Sequence, residues 1–247
     1  MAGHSKWANI KHSKSANDAK KAKHFSKLIR EITTAVKQGG SSPEASPRLR
    51  LAIQNAKGAN MPKDKIERAI NKGSGGDTTD YTTVIYEGNA PHGVAVIIEC
   101  MTDKLNRTVA SVRAAFSKYG GSLGKKGSVA FLFDRKGVFN IKSEDIEDEE
   151  AFSLALIDAG AKAIEVEEGY LYVTCSLQNF GSLQKQLEEL AIEPSSASLQ
   201  YIPHTHVELE DEAFIKAMKL IETLEDNNDV QEVYHNIAIN DRPLQLL

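Results

Sequence analysis

Cysteine is nearly missing from the 247 residues: there are two, Cys100 and Cys175, in separate strand-like segments. That spacing suits two reduced, half-buried thiols of a cytosolic protein and excludes a disulfide framework. Long apolar stretches are missing too. No uninterrupted apolar run exceeds five residues, Val94–Ile98 being one, whereas a membrane-spanning helix needs roughly 18 to 20. No integral membrane protein is expected, and because His4 and Lys6 are followed by no apolar stretch, no secretory signal either. Gly and Pro number only 17 and 7, too few for a collagen-like or low-complexity chain. Hydrophobic residues at 41% and charged residues at 26% are those of a globular protein.

What the chain has is charge of opposite sign at its two ends. The net charge of −4 is made of +11 on residues 1–75, +2 on residues 76–136 and −17 on residues 137–247. A basic head on an acidic body is the asymmetry of a molecule that docks its head on a polyanion while the body resists non-specific adhesion. The competing reading is a head and body that attract each other within one protein. Nucleic acid is the expected partner.

From Ala16 onward, Phe25, Leu28, Ile29, Ile32 and Val36 recur at three- and four-residue steps, which predicts an amphipathic helix to about Gln38, stopped by Gly39 and Gly40. At about 100° per residue, Lys20, Lys23, Lys27, Arg30 and Lys37 fall on the opposite side as a cationic ridge. Ser46 and Pro47 open a second helix ending at Gly58, and Pro62 a third, with Ile66, Ala69 and Ile70 inward and Gly73 as its stop. A linker follows over Gly73–Asp80. Beyond it the period changes to two, with strands at Val84–Glu87 and Val94–Cys100, a helix at Asn106–Tyr119 and a strand at Val129–Phe133. The next segments read β-α-β-β-α-β from Val138 to Ile202, the order of a ferredoxin-like sandwich. A helix over Glu212–Leu224 and a strand over Val230–Asn236 would complete the earlier sheet.

The fold expected is therefore multidomain α+β, with a helical N-terminal domain followed by two α+β domains. At least one of these is ferredoxin-like, and the third is inserted into the second. The domains expected are 1–75, 76–133 with 204–247, and 134–203.

The arm gathers Lys6, Lys11, Lys14, Lys20, Lys21 and Lys23 around Trp7, His4 and His12 with few acids. Cations for phosphates beside a flat ring for stacking form a nucleic-acid footprint, although Trp7 also suits a hydrophobic anchor for the arm. Helices two and three have the spacing of a helix-turn-helix that would carry Lys63, Lys65, Arg68 and Lys72 on its second helix, with ordinary three-helix packing as the plainer reading. The run "GGSLGKKGS", Gly120–Ser128, lacks the spacing of a phosphate-binding loop and reads as a turn exposing Lys125 and Lys126, which join the candidate nucleic-acid contacts. Phe131 and Phe133 share one face of the predicted strand, read as core. His204 and His206 have no third His or Cys nearby, and Glu144–Glu150 reads as a solvated helix start. No metal site, cofactor or catalytic constellation is expected.

"MAGHSKWANIKH" and "DAKKAKHFSKLIREI" resemble the opening of the YebC family. So do "GGSSPEASPRLRLAIQNAKGANMPKDKIERAI", "YEGNAPHGVAVIIECMTDKLNRTVASVRAAFSKYGGSLGKKGSVAFLFD" and "NNDVQEVYHNI" further on. That family includes bacterial proteins assigned as transcriptional regulators and the mitochondrial translational activator of cytochrome c oxidase. Ser13, Ala22 and His24 depart from its usual pattern. The resemblance implies a three-domain, non-enzymatic regulator of gene expression in the cytoplasm. Its ribosome-linked members suggest an RNA-binding translation factor that sits on ribosomal RNA and assists difficult stretches such as consecutive prolines, with the acidic body available to the ribosome or another protein. The alternative is the customary assignment, a DNA-binding transcriptional regulator. An enzyme is the remote one.

Overall fold

The computed structural model describes residues 18–75 and 79–239, with side chains from Lys21 onward. Contacts gather these into two units, one of residues 79–134 with 201–239, the other of residues 18–75 with 135–200.

In the second unit, α1 (Asp18–Gly39), α2 (Pro47–Gly58) and α3 (Lys63–Ser74) form a three-helix bundle. The periodic stripe of α1 is its core: Phe25, Ile32 and Val36 are buried with Leu49, Ala52 and Ala56 of α2 and Ile66 and Ala69 of α3. Gly40 ends α1 at φ +84°, open to glycine at little cost. Ser46 caps α2, its Oγ accepting from the Leu49 N–H at 3.3 Å, with Pro47 in the first turn. Gly73 is not the stop expected of it, because α3 runs on to Ser74. A Cβ on Gly73 would stand 2.7 Å from the Val36 Cβ and 2.9 Å from the Thr33 carbonyl oxygen, so the glycine lets α3 lie close against α1.

The sandwich of the same unit is β4 (Phe133–Lys142), α5 (Glu149–Asp158), β5 (Ala161–Glu167), β6 (Tyr170–Ser176), α6 (Phe180–Glu189) and β7 (Ser196–Pro203), with strand order β5-β6-β4-β7. Chain order and strand order together make this the ferredoxin-like arrangement. Phe139, Ile141, Leu171 and Val173 pack on Phe152, Leu156, Leu183 and Leu187 of the two helices. Asp148 caps α5 by accepting from the Ala151 N–H at 3.0 Å, and Glu149 and Glu150 lie in its first turn, where acids favour the helix dipole.

The helical bundle docks on the edge of this sandwich. Asn55 of α2 donates from Nδ2 to the Ala197 carbonyl at 2.9 Å and accepts at Oδ1 from the Ala197 N–H at 2.8 Å, so one side-chain amide occupies both backbone groups of the edge strand β7. Gly58 makes the approach possible, since a Cβ there would fall 1.8 Å from the Ser195 carbonyl oxygen. In an isolated helix Gly→Ala gains up to about 1 kcal/mol. Here Gly58→Ala is expected to lower the stability of the full chain by about 1–3 kcal/mol through overpacking, read as a fall in the denaturant midpoint. A midpoint at or above that of the parent would show that the docking gap is not tight.

In the first unit, β1 (Thr82–Ala90) and β2 (Val94–Thr102) form a hairpin, followed by α4 (Leu105–Lys118), β3 (Ser122–Leu123), α7 (Asp211–Glu225) and β8 (Val230–His235). The strand order is β3-β1-β2-β8, so the C-terminal strand completes the sheet begun by the hairpin. The sandwich is thus inserted between β3 and α7. β2 is apolar without a break over Val94–Ile98, where both its faces are buried. Val96, Ile98 and Cys100 face Val112 and Phe116 of α4 and Met218 and Ile221 of α7. Ala95 and Ile97 face Val129, Phe133, Tyr201 and Tyr234.

Two expectations are corrected here. Cys100 and Cys175 are free but fully buried rather than half-buried, and burial pushes the Cys175 thiol up. Val129–Phe133 is not a strand: Ala130–Leu132 is a turn of 3-10 helix, and β4 begins only at Phe133. The turn breaks the two-residue alternation, so Phe133 is buried while Phe131 is 69% exposed. Among the described residues no helix is long and apolar enough to cross a membrane.

Candidate nucleic-acid interface

Lys21 comes from the first turns of α1 and Lys65 from α3, and the packing of those helices brings both to one ring. Their Nζ atoms lie 5.7 and 5.2 Å from the centroid of Phe25, which is itself buried. Each cation is attracted by the negative π-cloud of the same ring. Lys63 and Arg68 stand on the same helix as Lys65 in exposed pairs with Glu67 (3.7 Å) and Asp64 (3.4 Å). Pairs of this kind are worth about 0.3–0.5 kcal/mol, so both cations exchange readily to a phosphate. α3 packs chiefly on α1, the arrangement of a three-helix bundle.

The remaining site residues are placed differently. Lys23, Lys27 and Arg30 of the expected ridge are half-buried, as is Lys37. Lys20 lies in α1, with its side chain outside the described residues. Lys6, Trp7, Lys11, His12 and Lys14 lie outside them altogether.

Part of the attraction between basic head and acidic body is internal. On α2, Lys57 pairs with Glu193 at 3.1 Å and Arg50 with Glu188 at 3.4 Å, while Arg48 holds Glu31 at 2.8 Å and also Gln38. These cations serve the fold. Sequence reasoning did not single them out, nor Asn55, because their partners are more than 100 residues away for all but Arg48.

The loop with Lys125 and Lys126 belongs to the other unit. Its organiser is Glu87 of β1, only 5% exposed, whose carboxylate accepts the N–H groups of Gly127 (2.6 Å), Val129 (2.8 Å) and Ala130 (2.9 Å). Its carbonyl takes the Gly124 N–H at 2.7 Å. Burial pushes the Glu87 carboxyl up, but the three N–H donors and nearby Lys126 outweigh it and hold the group below the usual carboxylate range. The backbone donors that a phosphate-binding loop would aim at a ligand are here spent on a side chain of the protein. Lys125 and Lys126 are exposed beside them. Alternation did not mark it, because Glu87 shares its face of β1 with the exposed Ile85 and Asn89.

His204 Nε2 lies 2.9 Å from Asp134 Oδ1, an exposed pair. Among the described residues no three His, Cys, Asp or Glu side chains gather as a metal site would require.

Residues 5–76 match the family described as TACO1/YebC protein N-terminal domain, and residues 81–237 match TACO1/YebC second and third domain. A probable transcriptional regulatory protein of Amoebophilus asiaticus is 71% identical over 97% of this chain and 99% of its own. The probable transcriptional regulatory protein YebC of Escherichia coli is 47% identical over 98% of both. A crystal structure of a conserved hypothetical protein from Aquifex aeolicus superposes with a TM-score of 0.80 at 40% identity, covering 92% of this chain and 94% of that one.

Proposed function

The chain belongs to the TACO1/YebC family, and from that membership we propose that it is a non-enzymatic regulator of gene expression that binds nucleic acid through residues 1–72. The observation that carries the proposal is the cationic group on the bundle, Lys21 and Lys65 around Phe25 with Lys63 and Arg68 beside them in weak pairs. Lys6, Lys11, Lys14, Lys20, Lys23, Lys27 and Arg30 add phosphate contacts, and Trp7 and His12 lie among them. Duplex DNA is the favoured target, because the relatives carry the name of probable transcriptional regulators.

A second reading, ribosomal RNA and a role in translation, is favoured by one observation. Planar bidentate recognition of base edges belongs to Arg, and Arg48 and Arg50 are each engaged with a carboxylate of another element of the protein. The head is then a reader of phosphates with little sequence discrimination.

Crosslinking the full chain to nucleic acid in cells, then sequencing what is attached, separates the two. Enrichment of promoter DNA supports the transcriptional reading. Enrichment of ribosomal RNA supports the translational one and overturns DNA as the target. Recovery of neither removes nucleic acid from the function.

A further inference from the structure

Phe131 is the most exposed large apolar side chain among the described residues, and nothing about its backbone is loose. On one side Ala130 donates its N–H to Glu87 at 2.9 Å. On the other the Leu132 N–H bonds the Val129 carbonyl at 2.9 Å and the Leu132 carbonyl accepts the His204 N–H at 2.9 Å. The neighbours are buried core: Val129 and Phe133 pack with Ala95 and Ile97. Fully burying such a ring is worth roughly 1.5–3 kcal/mol, and this fold forgoes it while anchoring every residue around it.

The same anchor ties down the backbone beside Lys126. Gly127 and Ala130 donate to the two oxygens of one carboxylate, at 2.6 and 2.9 Å. Lys126 and Phe131 are the residues immediately outside that pair, and Lys126 is close enough to act on the Glu87 charge. Lys125 is tied in by its carbonyl, which accepts the Ser128 N–H at 3.1 Å. Gly127, at φ +84°, makes the turn. The loop is a rigid mount carrying two cations and an exposed aromatic face.

We propose that this loop is a second nucleic-acid site, separate from the helical head, which stacks an unpaired base on Phe131 and takes the flanking phosphates on Lys125 and Lys126. It rests on the reading of the chain as a nucleic-acid binder and adds a preference that the head lacks. A ring face stacks on any base that is free of its partner, whereas in an intact duplex the bases are stacked on one another and closed to it. The site therefore recognises single-stranded or unpaired segments, by stacking and charge.

The test measures the full chain against an oligothymidylate of about 12 nucleotides, within the range of single-strand sites, and against a random-sequence duplex. Phe131→Leu keeps apolar bulk without an aromatic face, and at so exposed a position its melting temperature should match the parent. It is expected to bind the single strand about 5- to 150-fold more weakly, the effect of losing one stacked base. Its duplex affinity stays unchanged, and Phe131→Tyr retains single-strand binding. Changing Lys125 and Lys126 together to Ala shallows the single-strand salt slope by about 1.4.

If Phe131→Leu binds the oligothymidylate as the parent does while the parent binds duplex, the loop site is wrong and the head reading stands. Equal losses on single strand and duplex overturn the unpaired-base preference. If the parent binds neither, both readings fall. A partner protein captured by the parent but lost on Phe131→Leu, with no single-strand effect, makes the patch a protein contact and overturns the proposal.

Discussion

Replacing Lys21, Lys63, Lys65 and Arg68 together with Ala is expected to lower the affinity of the full chain for random duplex by about three orders of magnitude at 0.1 M salt, and to make the plot of log affinity against log salt shallower by about 3.6. The magnitude follows from four phosphate contacts at about 0.9 each. Each of the four cations is exposed and either shares the Phe25 ring or sits in a weak pair one helical turn away. Ala is the strongest helix former, so circular dichroism should be unchanged. A slope within experimental error of the parent would take α3 out of the interface. Changing Arg50 and Lys57 instead should leave the slope nearly intact and loosen the bundle from the sandwich, since their partners are Glu188 and Glu193.

Glu87→Ala is expected to cost about 3 kcal/mol of stability, because three N–H donors of the loop lose a charged acceptor and two of them, from Gly127 and Ala130, hold its ends. Glu87→Gln keeps one acceptor oxygen and should fall between. The carboxyl is held below the usual range, so its contribution is whole above the unfolded value of about 4.3 and is lost as the pH falls through the lower folded one. Between pH 6 and 8 the gap between parent and Glu87→Gln should be constant, and below about pH 4 it should close. Denaturant titrations at three pH values measure this. A gap that persists in acid would mean that Glu87 acts by its shape alone.

Legibility in the sequence followed the range of the interaction. Local rules acted through neighbours three or four residues apart, so the stripe Phe25, Ile32 and Val36, the cap at Ser46 and the β-α-β-β-α-β order of the sandwich were all readable. So was the exposure of Lys125 and Lys126, which a short glycine-flanked turn dictates by itself.

Where the outcome depended on what a residue meets from far along the chain, the local pattern failed. Gly73 reads as a helix stop until Val36 is seen 2.7 Å from where its Cβ would be. Phe131 alternates with Phe133 as a strand would, but Glu87, more than 40 residues earlier, captures the backbone N–H groups that strand pairing would use and turns the ring outward. Lys57 and Arg50 look like the other cations of a basic head until Glu193 and Glu188 claim them.

Composition and periodicity by themselves determined the basic head, the acidic body and most of the secondary structure, while the family was legible in whole motifs that the family matches bear out. Only the tertiary structure decided which cations are left for a ligand. A charge has the same sign wherever it stands in a sequence, but whether it is spent depends on the distance to its counter-charge, and that distance is set by folding.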